Sequence, residues 1–113
     1  MSKKISWRQF LDVDLRVGTI VDAEEFQDLS SPAFILSIDF GPDIGIKRSS
    51  AQLTSSYGRD SLVGRKIVAV INFPRRRIGE VISECLVTGF LGRNGKTVLC
   101  VPDGSVANGT KLL

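Results

Sequence analysis

The amino-acid sequence predicts an all-β fold with a minor helical part, a small barrel of five or six strands behind one short N-terminal helix. Three observations carry this expectation. The 113 residues hold eleven glycines and a single methionine, which favours strands and tight turns over a helix bundle. Apolar residues alternate across 33–40 with the period of two that marks a half-buried strand. Turn signals at Gly41-Pro42-Asp43 and Gly92-Arg93-Asn94-Gly95 separate such runs.

Taken in order, Ser6-Trp7-Arg8-Gln9 fits a capping box, with Ser6 as N-cap and Gln9 three residues later. Ile5 and Phe10 are placed to form a hydrophobic staple around it, so a helix is expected over 7–12. Its apolar face, Trp7, Phe10 and Leu11, must pack on something, because one or two turns are unstable alone. Residues 16–26 read as the first strand, with Val17, Ile20, Val21 and Ala23 before a charged edge at Glu24-Glu25. Residues 33–40 place Phe34, Leu36, Ile38 and Phe40 on one face, and 44–53 form the returning strand. Residues 54–63 lack alternation and read as a loop or a short helix. Residues 66–73 are apolar on both faces, as in a doubly covered central strand, and Pro74 is expected to end it. Strands at 84–91 and 97–101 flank Asn94-Gly95, the strongest short hairpin cue. This order suits a five-stranded Greek-key barrel of the OB type. Pattern alone leaves an SH3-like barrel or a small sandwich open.

The length fits one domain over 1–113, divided into a helical segment 1–14 and a barrel with C-terminal extension over 15–113. A core this size needs no disulfide or metal staple. No apolar run approaches the ~20 residues of a membrane span. The Met-Ser-Lys-Lys-Ile-Ser-Trp start lacks the apolar stretch of a signal peptide, so a cytoplasmic location is the expectation. The net charge of +3 hides an asymmetry, since residues 1–46 carry −4 and residues 47–113 carry +7. A basic half suggests an anionic partner, against the plainer reading of a solvated face. If Asn94-Gly95 makes a two-residue turn, Cys100 faces Gly89 and Cys85 lies roughly 13 Å further along. That exceeds the ~7 Å reach of a disulfide, so both cysteines are expected to be free and buried.

Catalytic chemistry finds little support. The chain has no histidine, which removes Ser-His-Asp and Cys-His arrangements and every His-containing zinc site. Two cysteines without Cys-x-x-Cys spacing offer no metal site, and no cofactor is expected. Gly95-Lys96-Thr97 resembles the end of a phosphate loop, but the required earlier glycine is Phe90. Asp12 and Asp14 read as helix-end carboxylates, or as partners of Arg16. The informative cluster is Asn72-Phe73-Pro74-Arg75-Arg76-Arg77, directly after the central strand. Arginine suits phosphate because its planar fork makes two parallel hydrogen bonds. Phe73 is either core or a stacking platform for an unpaired base. Lys47-Arg48-Ser49-Ser50 adds cations and hydroxyls at the end of another strand.

Asp14-Leu15-Arg16-Val17-Gly18, the 44–52 segment, Asn72-Phe73-Pro74-Arg75-Arg76-Arg77-Ile78, Ser83-Glu84 and Asn108-Gly109-Thr110-Lys111 together resemble the CsaA family of export-related chaperones. More distantly they are similar to the tRNA-binding domain appended to methionyl-tRNA synthetases. The resemblance implies an OB fold, homodimerisation through the terminal segments, and no catalytic activity. It implies two kinds of partner: tRNA, and unfolded polypeptides or preproteins with the export machinery. By position it implies RNA contacts at Lys47, Ser49, Ser50, Asn72, Arg75, Arg76, Arg77, Ser83 and Glu84, with Glu84 accepting from a base or orienting an arginine. A peptide-binding or dimer surface is expected at Trp7, Phe10, Leu11, Phe26, Phe73, Leu112 and Leu113. The chain departs from the synthetase-type domain at 26–32, and at 83–86, where Ser83-Glu84-Cys85-Leu86 replaces a Ser-x-Gly-Met stretch.

Overall fold

The computed structural model describes residues 2–28, 31–53, 56–79 and 81–113. Helix α1 (Trp7–Leu11) starts at the expected capping box: Ser6 Oγ accepts from the Gln9 amide at 3.1 Å, and Gln9 Oε1 accepts from the Ser6 amide at 2.7 Å. Strands β1 (Leu15–Asp28), β2 (Ser31–Asp39) and β3 (Ile46–Ala51) form an antiparallel meander. Helix α2 (Arg59–Leu62) follows, one of the two alternatives open for 54–63, and buries Leu62 in the core. Strand β4 (Lys66–Val70) pairs with the first third of β1, and β7 (Leu86–Val87) pairs with β4. The resulting sheet order is β3-β2-β1-β4-β7. Two hairpins complete the chain, β5 (Arg76–Ile78) with β6 (Val81–Ser83), and β8 (Gly89–Leu91) with β9 (Thr97–Leu99).

The sheet curls until its two edge strands approach each other. The Glu84 amide, just ahead of β7, donates to the carbonyl of Arg48 in β3 at 2.8 Å, and β6 lies against β3. This closure identifies the OB-type barrel among the three architectures the pattern left open. The interior holds Ile20, Phe34, Leu36, Ile38, Phe40 and Ile67, the alternating β2 residues among them.

Several boundaries differ from the sequence reading for identifiable reasons. In β1 a bulge at Val21 shifts the register, so Ile20 and Ala23 both face the core although they are three residues apart. Strand β4 stops at Val70, well before Pro74, because its partner β1 begins at Leu15. Beyond that point the Asn72 side chain takes over, donating to Asp12 O at 2.7 Å and accepting from the Asp14 amide at 3.0 Å. The expected strand 84–91 is two strands, divided at Thr88, whose amide and hydroxyl both donate to Val68 O. The Asn94-Gly95 hairpin has a three-residue loop rather than two. Gly92 N donates to Lys96 O at 2.8 Å, and Gly95 takes φ 78° after a turn bonded to Gly92. Gly89 therefore faces Leu99, one residue from the expected register. Both cysteines are free, but Cys100 is only half-buried. The hairpin β5–β6 has no counterpart in the sequence reading. Its strands are three residues each, too short to show a period of two, and no Asn-Gly pair stands between them.

The C-terminal segment runs beside β1. Gly109 N donates to Val17 O (2.8 Å), Val17 N to Thr110 O (3.0 Å) and Leu112 N to Leu15 O (2.9 Å). Asp14 holds Arg16 at 2.7 Å, and Arg16 Nη1 donates to Gly109 O at 2.9 Å. Asn108 Oδ1 accepts from Thr19 Oγ1 and Lys66 Nζ. Gly109 has φ +87°, and a Cβ there would stand 2.6 Å from the backbone oxygen of Phe40. Gly109→Ala should therefore lower stability by at least about 1–2 kcal/mol, the cost of a left-handed alanine alone. An unchanged urea midpoint would refute this.

Cys85 gives a pH prediction. Burial, then the negative charge of Glu84, push its thiol from 9.0 up to about 12. Between those values the unfolded chain releases the proton while the folded chain keeps it, so stability falls as pH rises. Below about pH 9 both states are protonated and no effect is expected. The native chain should lose up to about 1 kcal/mol per pH unit more than Cys85→Ala across pH 9 to 12. Parallel slopes in urea titrations would contradict the burial of this thiol.

Candidate nucleic-acid interface

The basic run emerges where β4 ends. Asn72 is fastened by its amide to the 12–14 segment, so the following Phe73-Pro74 loop has a fixed root. Phe73 points outward and is 54 % exposed, which decides against the core alternative. Arg76 and Arg77 lie on β5, where successive side chains leave opposite faces of the ribbon. Arg76 faces Ser83 across the hairpin, whereas Arg77 faces the exposed Ile82 and donates from Nε to Gly79 O at 3.1 Å. The three arginines are thus exposed but divided, not one continuous patch.

A cavity of about 500 Å³ opens between this loop and the closure segment. Phe73, Pro74, Cys85 and Leu86 give it apolar walls, Ser50 and Ser83 bring hydroxyl-bearing residues, and Arg75 and Arg76 bring the charge. Cys85 is buried and marks the deep side, while Phe73, Arg75 and Arg76 are exposed at the mouth. A smaller hollow of about 250 Å³ adjoins it, sharing Ser50 and Leu86. Glu84 stands beside the mouth. Its Oε1 accepts from the Arg48 amide at 3.2 Å, and its Oε2 lies 3.6 Å from Arg75 Nη2. Arg75 is largely solvated, so that ion pair orients it more than it stabilises the fold.

Ser50, Arg75, Arg76 and Ser83 are therefore brought to one cavity, with Glu84 at its edge. Ser49 is 1 % exposed, and its hydroxyl donates to Ser50 O at 3.3 Å. Lys47 shares its face of β3 and is half-buried, close enough to Cys85 to oppose the rise of the thiol's pKa. The sequence offers Cys85 as a core thiol, and both Cys85 and Leu86 as part of the departure at 83–86, but neither as a wall of a site. Their position depends on the break at Thr88, which no local signal announces.

The apolar set divides too. Trp7 and Phe10 stack at 5.7 Å between ring centroids, and Trp7 is 69 % exposed. Leu11, Leu112 and Leu113 are also exposed, and the Leu112–Leu15 bond brings the C-terminal end beside the start of β1, next to the helix. Phe26 lies eleven residues further along β1 and is half-buried, so it does not join this face. Phe73 belongs to the basic cavity. Among the described residues, no cluster of three or more His, Cys, Asp or Glu side chains could hold a metal ion, and no helix is long and apolar enough to cross a membrane.

Comparison with known proteins bears on the fold and the family. Residues 15–111 match a family model described as "Putative tRNA binding domain". The chaperone CsaA of Bacillus anthracis superposes with a TM-score of 0.91 at 44 % identity, covering 98 % of this chain and 100 % of that one. The CsaA chaperone protein of Picrophilus torridus gives 0.90 at 42 % identity, covering 97 % and 100 %. The methionine–tRNA ligase of Chlorobium phaeobacteroides is 28 % identical over 98 % of this chain, and that of Leptospira biflexa 33 % identical over 88 %. This chain spans only 15 % and 14 % of the length of those ligases. A protein from Pyrococcus horikoshii related to methionyl-tRNA synthetase shares the fold at 19 % identity, with a TM-score of 0.86. The chain belongs to the tRNA-binding domain family and, within it, to the CsaA group.

Proposed function

We propose that this protein is a non-catalytic, cofactor-free tRNA-binding protein that works as a cytoplasmic homodimer and contacts RNA through the cavity face of Arg75, Arg76, Ser50 and Ser83. Lys47, Asn72 and Glu84 lie around that face, Arg77 leaves the other side of β5 to reach the flanking backbone, and Ser49 supports the face from inside β3. The single observation that carries the reading is the meeting of exposed arginines, hydroxyl residues and an exposed Phe73 around one cavity, in a chain of this family. Cations at a groove with hydroxyl donors suit a phosphate backbone, and an exposed ring suits a base.

A second reading has its own observation. Trp7, Leu11, Leu112 and Leu113 leave apolar surface uncovered at the two chain ends. The similar solved structures from Bacillus anthracis and Picrophilus torridus are those of chaperones. Capture of unfolded polypeptides or preproteins, in contact with the export machinery, fits such a surface. The same apolar end is the proposed dimer contact, and the two activities can share one dimer.

Replacing Arg75, Arg76 and Arg77 together by Ala should weaken tRNA binding. For every phosphate left without its cation, the slope of log affinity against log salt should also fall by roughly 0.7–0.9. Labelled tRNA titrated at several salt concentrations checks this, and unchanged affinity with unchanged slope would refute the RNA reading. Binding of a reduced, unfolded client that persists through the same salt range is the mark of the second reading. Light scattering should give twice the 12.3 kDa chain mass, and Trp7→Ser with Leu11→Ser should return it to one chain. A native particle of 12.3 kDa at micromolar concentration would remove the dimer.

A further inference from the structure

We propose that the 500 Å³ cavity is a pocket for one unpaired nucleotide of the bound RNA, its base against Phe73 and Leu86 and its phosphate on Arg76 and Arg75. The inference rests on the RNA-binding reading and narrows it from a surface to a position in the RNA. A paired base is stacked within its helix and cannot present a face to a recessed wall. Only a base free of a partner can enter.

The lining matches the three chemical parts of a nucleotide. A base offers a flat apolar face, and Phe73 with Pro74 forms a matching wall on a loop rooted by the Asn72 amide. A base edge offers donors and acceptors. The Ser83 hydroxyl donates to Cys85 O at 3.2 Å and keeps its own oxygen as an acceptor. A phosphate offers charge, and Arg76 shares the cavity with Ser83 because the two residues face each other across β5 and β6. The volume falls in the range of small-molecule pockets, about 300–1,000 Å³. The adjoining hollow shares Ser50 and Leu86, which leaves the next nucleotide an open path and not a blind wall.

Glu84 contributes to the choice of ligand. It is held by the Arg48 amide and stands 3.6 Å from Arg75, so it steers that guanidinium while repelling a second phosphate from the same spot. The pocket therefore favours one phosphate and one base over a run of backbone. An apolar side chain of a polypeptide would meet Phe73 and Leu86 but would leave Arg76 unanswered.

The test compares two RNAs that share one hairpin stem, one blunt and one with a short unpaired overhang. The native chain should bind the overhang form about 5- to 150-fold more tightly, the range expected for stacking one base on an aromatic ring. Phe73→Ala should bring the two RNAs to equal affinity. Phe73 is more than half exposed, so its replacement spares the core. Equal affinities in the native chain would overturn the pocket while leaving RNA binding intact. A preference that survives Phe73→Ala would place the unpaired nucleotide elsewhere and also overturn it. Absence of binding to either RNA would overturn both the pocket and the reading it rests on. Equal RNA affinities together with Phe73-dependent binding of a reduced, unfolded protein would assign the cavity to polypeptide instead.

Discussion

The bond from the Glu84 amide to the Arg48 carbonyl is the interaction on which the half of the molecule around the cavity depends. A curled five-stranded sheet leaves two edges, β3 and β7, and exposed edges are a liability. Full strand pairing between them would close the barrel, but it would also leave no space beside β3. Here closure is confined to one short segment, and the Glu84 side chain supplies the return bond from the Arg48 amide. The chain before this point is free to form β5–β6, and the chain after it drops Cys85 into the core. The cavity is the space that this minimal closure leaves.

The same bond explains the local electrostatics. A carboxylate amid Lys47, Arg48 and Arg75 runs against the sign of its surroundings. Its position shows two duties: it satisfies an edge-strand amide, and it aims one guanidinium. The net charge of +7 over residues 47–113 is thus structured, with one anion fixed inside the basic half. Such an arrangement sacrifices some non-specific attraction and gains orientation.

How much could be read beforehand depended on the range of the interaction involved. The capping box, the alternation of β2 and the start of the apolar β4 are written in adjacent residues, and each formed where the pattern put it. The Asp14–Arg16 pair was equally local. The β5–β6 hairpin, the break at Thr88 and the early end of β4 each answer to a partner distant in sequence, at β3, Val68 and β1 respectively. Tertiary pairing overrides local preference in such cases. The candidate site follows the same division. That Arg75–Arg77 would be exposed was legible, whereas their separation onto two faces required the hairpin. The burial of Ser49 and the only partial burial of its neighbour Ser50 follow from β3 alternation, whose phase depends on the pairing with β2. Asn72 shows how a motif residue can be structural, since both ends of its amide are engaged by main chain.

That Asn72 clasp also connects the two surfaces. On one side it grips Asp12 and Asp14, which follow the exposed helix α1; on the other it precedes Phe73 at the cavity mouth. The C-terminal segment reaches the same place through Leu112 and Leu15. The apolar end and the arginine-bearing face are separate in chemistry, yet the two hydrogen bonds of one side-chain amide join the main chain behind the first to the main chain that leads into the second.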